Sequence, residues 1–208
     1  IHKLSNTVIM SPTDTWKLSD VNIKPQRGWQ AAAGLYLNSP SGIWEYSVEG
    51  YYKRMSDYLD YRGGAKLLMN HHIETDVINT QGHAYGVELQ VKKQVGKLNG
   101  WMSYTYSRTF LRQNDKRIEK PVNNGDWYPT EYDKPHDFKF VGNYKFTHRY
   151  SMSINVDYST GRPTTIPAGQ YYDESTQSMR VYYTERNSYR IPDYFRTDIS
   201  FNIEPSHH

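Results

Sequence analysis

The sequence predicts an all-β fold: an antiparallel section of a transmembrane β-barrel, with about seven meander strands and long outer loops. Three observations carry this. Apolar and polar residues alternate in segment after segment. The apolar rows end in aromatic residues, and the chain holds 20 tyrosines. Short connections alternate with long ones. Side chains alternate across a strand, so strict period two means one apolar and one wet face. Aromatic residues at both margins of such a row match the girdles of outer-membrane barrels.

The clearest segment runs from Tyr150 to Tyr158. One face reads Tyr150, Met152, Ile154, Val156, Tyr158, and the other Ser151, Ser153, Asn155, Asp157. At about 3.3 Å per residue it reaches roughly 26 Å, enough for a tilted strand to cover most of an apolar bilayer band. The first strand is weaker and reads Trp29, Ala31, Ala33, Leu35, Leu37. Residues 43–55 set Trp44, Tyr46, Val48 and Tyr52 against Glu45, Ser47, Glu49 and Lys53. Residues 83–95 set Tyr85, Val87, Leu89, Val91 and Val95 against Glu88, Gln90, Lys92 and Gln94, with Lys93 breaking the row near its end. Residues 98–111 give Leu98, Met102, Tyr104 and Tyr106 opposite Asn99, Ser103, Thr105 and Ser107. Residues 136–146 give Phe138, Phe140, Tyr144 and Phe146 opposite Asp137, Lys139, Asn143 and Lys145. From 193 onward, Phe195, Ile199, Phe201 and Ile203 oppose Arg196, Asp198, Ser200 and Asn202.

Asn38 to Gly42, Gly96-Lys97 and Thr147-His148 form the short connections. Residues 1–28, 56–82, 112–135 and 161–192 form the long ones, rich in Gly, Pro, Asn and Asp. Short turns at one end and long loops at the other is the layout of bacterial outer-membrane barrels. Pro, Gly and β-branched residues interrupt every candidate helical window, and no apolar stripe of period 3.6 persists.

Composition narrows the function. The chain has 208 residues, the length of one domain. A hydrophobic content of 37% and a mean hydropathy of −0.86 exclude a helical membrane protein. They are compatible with a barrel, whose lumen face and loops are polar. The absence of cysteine removes disulfides and thiolate metal sites. The 25 basic and 22 acidic residues leave a net charge of +3, scattered, without the footprint of a nucleic-acid binder. Ile1 to Ser5 lacks the order of a secretory leader. The expectation is a leader cleaved off, or a chain that begins part-way along a longer one.

Several stretches resemble TonB-dependent outer-membrane receptors, in particular the large-loop branch with a carboxypeptidase-regulatory-like N-terminal domain. They are Ser11 to Trp16 with Asn22 to Pro25, Tyr51 to Arg54 with Leu59 to Tyr61, Gly82 to Glu88 and Gly100 to Arg108. Tyr132 to Asp137, Ser159 to Pro163 and Arg186 to Tyr194 complete the series. The resemblance runs along nearly the whole chain and rests on the order and spacing of these stretches. It implies a piece of a 22-stranded barrel around a plug, in the outer membrane of a Gram-negative bacterium. Residues 1–208 are read as an internal section of the C-terminal half of the barrel, with the plug domain and terminal strands absent. The implied function is non-enzymatic: import of a scarce nutrient such as an iron chelate, cobalamin or an oligosaccharide. The implied partners are outer-membrane lipid, a TonB-type energy-coupling complex reached through the plug, and a surface lipoprotein. No cofactor is implied. A passive porin or adhesin barrel, and a soluble tyrosine-rich carbohydrate-binding module, are the competing readings.

The outer loops hold the candidate ligand contacts. Asp126, Trp127, Tyr128 and Tyr132 put rings and a carboxylate in one loop; Tyr171-Tyr172 and Tyr182-Tyr183 do so in the next. Aromatic rings with polar tips stack and hydrogen-bond at once, and packing of loop against loop is their plainer use. Arg62, Arg186 and Arg190 suit bidentate capture of an anion, with pairing to loop carboxylates as the plainer use. His71-His72 near Glu74 and Asp76 lacks the convergent geometry of a metal site. His136 between Asp133 and Asp137 has no nucleophile beside it, so no catalytic residue is assigned.

Overall fold

The computed structural model describes residues 2–3, 16–19, 23–61, 77–113, 120–174 and 177–205. Seven long strands form one antiparallel meander: β1 (Arg27–Asn38), β2 (Trp44–Tyr61), β3 (Val77–Lys93), β4 (Leu98–Arg112), β5 (His136–Lys145), β6 (Tyr150–Ser159) and β7 (Tyr194–Ile203). Each pairs only with its neighbours in sequence along this path, and the two-residue strand Tyr128–Pro129 adds to the end of β4. The one helical element among the described residues is a four-residue 3-10 turn, Val122–Gly125.

Register decides which side chains share a face, because directly opposed residues of an antiparallel pair point the same way. Met102 opposes Val91 and Phe140, and Val91 and Phe140 oppose Tyr46 and Val156 in turn. Ile154 opposes Ile199, and Met152 opposes Phe201. The apolar rows of all seven strands therefore join into one continuous face. The other face aligns Gln90, Ser103, Lys139, Asp157 and Arg196, and carries the ion pairs Lys92–Glu45 (3.5 Å), Lys139–Asp137 (3.7 Å) and Arg196–Asp198 (2.8 Å).

Charged and polar side chains mark where the apolar face ends. On β3 it runs from His83 to Lys93, and Arg54 and Arg108 stand beside it at the His83 end. Ten steps of about 3.3 Å, tilted by about 40°, give a height near 25 Å, that of a barrel's apolar band. Aromatic residues gather at both margins. Trp29 lies 5.5 Å from Tyr52 at one, and Trp44 stacks at 6.2 Å on Tyr46 while Tyr144 meets Phe146 edge-on at 4.9 Å at the other.

Two expectations need correction. Residues 56–82 are not all loop: β2 continues to Tyr61 and β3 starts at Val77. In β2 the alternation is broken there by a bulge. Met55 opposes Gly82 and Tyr58 opposes Thr80, so two residues of β2 face one of β3, with Asp57 at φ 55°. A bulge reverses the face of every later residue, which erases a period-two signal. Nor are residues 161–192 without structure. They contain a β-hairpin, Pro167–Asp173 with Ser178–Tyr183, above a two-residue ladder of Pro163–Thr164 and Tyr189–Arg190.

The buried core lies at the loop end, where Ile23, Ile78, Ala84, Leu111 and Tyr128 are all below a tenth exposed. Elsewhere the wall presents large apolar side chains outward, Phe201 at 72% and Ile199 at 59% among them.

Candidate functional site

At the loop end, polar locks fasten the two long connections to the wall and to each other. Tyr128 is buried at 1% exposure, and its hydroxyl donates to Asp60 Oδ2 at 2.6 Å. Arg186 Nη1 donates to the same oxygen at 2.7 Å, with its guanidinium 5.8 Å from the Tyr128 ring centroid. Burial first, and the Asp60 carboxylate second, push the Tyr128 phenol far up, so it stays a neutral donor. Asn123 and Arg186 exchange two hydrogen bonds, of 2.7 and 3.0 Å, and Asn187 Nδ2 donates to the Pro129 carbonyl at 2.8 Å.

A second lock centres on Asp133, a buried carboxylate. It accepts from the Thr109 N–H at 2.7 Å, from Arg108 Nε at 3.3 Å and from Arg190 Nη2. Arg190 Nη1 also donates to the carbonyls of Asp133 (2.7 Å) and Gly161 (3.0 Å). Gly161 is obligatory here, since a Cβ on it would sit 1.7 Å from the Ile191 carbonyl oxygen. Asp193 closes the base, accepting from the Tyr158 hydroxyl at 2.6 Å and the Gly161 N–H at 2.9 Å. The Tyr158 bond first, then the Gly161 N–H, hold its carboxyl below the usual range.

These locks sort the sequence-derived candidates. Tyr128, Arg186 and Arg190 hold the loops together. The cleft among Tyr58, Asp60, Tyr128, Tyr132 and Arg186 measures about 30 Å³, room for a water and no more. Trp127 meets His83 edge-on at 4.3 Å with the Arg112 guanidinium 4.8 Å from its ring, at the loop-end margin of the apolar face. Tyr132 is half exposed, and its hydroxyl lies 2.7 Å from that of Tyr58. Asp126 is exposed. Arg62, and the His71-His72 segment with Glu74 and Asp76, lie outside the described residues. Tyr171 and Tyr172 stand on the hairpin at 51% and 58% exposure, beside Tyr182 at 64% and Tyr183 at 46%. Sequence reasoning missed Asp60, Asn123 and Asn187 as lock residues. Their partners lie 22 to 126 positions away, beyond any local signal.

The family model described as TonB dependent receptor-like, beta-barrel matches residues 5–208. The chain belongs to the TonB-dependent receptor family. Comparison with curated proteins and with solved structures yields no match. TonB-dependent receptors are transport proteins of the Gram-negative outer membrane, coupled to TonB, and not enzymes. In a TonB-dependent receptor barrel the apolar face meets lipid, the polar face lines the lumen, and the long loops lie outside.

Proposed function

We propose that this section supplies outer ligand contacts to an importer of a scarce nutrient: an iron chelate, cobalamin or an oligosaccharide. The importer is assigned to the large-loop branch, with a barrel of 22 strands, a plug that meets TonB, and a surface lipoprotein partner. The observation that carries the ligand reading is the exposed hairpin over a locked base. Its register puts Tyr172, Met179 and Val181 on one side, and Tyr171, Arg180 and Tyr182 on the other. A rigid base under exposed rings lets stacking proceed with little ordering cost. Trp127, Tyr132 and Asp126 are the secondary contacts, and Arg62 remains a candidate for an anionic group.

The test is binding and uptake of a panel of ferric chelates, cobalamin and oligosaccharides by cells displaying the full-length receptor. Tyr171→Ala with Tyr182→Ala should weaken binding of one class by about tenfold, each stacked ring contributing about 0.5–1.5 kcal/mol. Undiminished binding with normal display would remove the hairpin from the ligand site.

A further inference from the structure

The lipid-facing side of the wall carries a notch. Gly100 of β4 opposes Gly142 of β5, and both fall on the apolar face. The Phe140 ring lies against Gly142, where a Cβ would sit 2.8 Å from it, and beside it an open hollow of about 200 Å³ remains among Trp44, Val91, Leu98, Met102 and Phe140, its lining almost wholly apolar. The hollow lies in the middle of the sheet, with β2, β3, β4 and β5 all contributing and paired. Neighbouring strands outside this section therefore cannot fill it. Nor can the glycine at its floor take a side chain without parting the strands. A Cβ on Gly100 would lie 2.0 Å from the Val141 carbonyl oxygen, because the two backbones approach too closely for a side chain.

A cation stands at its rim. Lys93 lines the hollow, with Nζ 5.8 Å from the Trp44 ring centroid and donating to the carbonyls of Val95 (2.7 Å) and Leu98 (2.6 Å). An ammonium has three protons, so a third donor remains after those two bonds. The rim is at the short-turn end, where Lys97, His148 and Arg149 are exposed, and short turns of such barrels face the periplasm. A dry hollow within the apolar band, beside a lysine and a tryptophan at the interface, complements an acyl chain joined to a phosphate. Lys and Trp at such margins reach the headgroup layer while their apolar parts stay in the hydrocarbon.

We propose that this notch is a phospholipid site: one acyl chain of a periplasmic-leaflet lipid lies in the hollow over Gly100, against the Phe140 ring, and its anionic headgroup meets Lys93. The occupant is thus more ordered than the surrounding lipid and selected by charge.

The experiment reconstitutes the full-length receptor in vesicles of phosphatidylcholine doped with a photoactivatable acyl-chain lipid. The probe is carried in one arm by phosphatidylglycerol and in the other by phosphatidylcholine, and adducts are mapped by peptide mass spectrometry. With the anionic probe, labelling of residues 91–102 should exceed that of the lipid-facing stretch 152–156 severalfold. Val91→Phe, which fills the hollow with a larger apolar side chain, should bring the two stretches level without loss of folding. Lys93→Gln should remove the preference for the anionic probe, about fivefold for one interfacial cation. Even labelling of both stretches in the unaltered receptor would overturn the site. Enrichment that survives Val91→Phe would move the lipid elsewhere, and equal labelling by the two probes would remove Lys93 as the headgroup contact.

Discussion

At the residue scale, environment decides what each substitution costs. Ile154 sits within the apolar face, between Gly142 and Ile199, while Asn155 sits between Val141 and Asp198 on the polar face. Ile154→Arg should therefore cost about 2–4 kcal/mol near the midplane of the bilayer, and Asn155→Arg much less. Urea unfolding of the receptor in liposomes measures both, and equal costs would refute the assignment of faces. Asp193 gives a pH prediction. Its hydrogen bonds to Tyr158 and Gly161 favour the charged form, so its folded pKa lies below the unfolded one. The stabilisation is then fully present above the ordinary carboxylate pKa, about 3.9, and is lost only as pH falls through the lower folded value. Hydrogen exchange at Gly161 should stay slow on acidification to about pH 4 and rise below it. Asp193→Ala, which removes the acceptor, should make that exchange fast at neutral pH as well, and slow exchange in this variant would show that the carboxylate does not hold the base.

At the element scale, the close approach of β4 and β5 is the most demanding contact in the wall. Gly100→Ala must part the strands at the Val141 carbonyl, and overpacking of this kind costs about 1–3 kcal/mol. Gly169→Ala is the contrast, since nothing lies within 4 Å of a Cβ there. A lowered unfolding midpoint for the first and an unchanged one for the second is the expected outcome. Equal midpoints would mean that the pairing tolerates the shift. The bulge in β2 shows a different kind of control. It turns the strand where the wall passes into the loop end, and it carries Tyr58 and Asp60 to the positions where they meet Tyr132 and Tyr128.

At the scale of the whole molecule, the locks separate stability from binding. Replacing Trp127, Tyr128 and Tyr132 together looks from sequence like a purely functional change. The structure makes Tyr128 a folding residue, buried and bonded to Asp60. Tyr128→Ala should cost about 3–5 kcal/mol, as for a large aromatic side chain removed from a core. It should loosen both long loops to proteolysis. Tyr171→Ala with Tyr182→Ala should leave protease resistance unchanged while weakening ligand binding. A destabilised hairpin variant, or a Tyr128→Ala receptor with unaltered loops, would reverse this division.

The strands, their order and their two faces were legible in the sequence because each rests on a local rule. Period-two alternation shows a wet and an apolar face, and aromatic ends and alternating connection lengths show the membrane setting. Five strands were read to within two residues at each end; β2 was cut short because a bulge reverses its alternation, and β3 because its first residues set Ile78, Thr80 and Gly82 against Val77, Asn79 and Gln81, an alternation without an apolar row. The loop end was not legible. Whether Arg186 or Arg190 clasps a ligand or an aspartate depends on what lies opposite, and Asp60 and Asp133 are 126 and 57 residues away. Tyr128 and Tyr171 look alike in sequence, yet one is buried against Asp60 and the other is exposed on a hairpin. Only the tertiary structure distinguishes them. Strand character follows from the neighbours along the chain, whereas burial and charge pairing follow from neighbours that folding alone brings together.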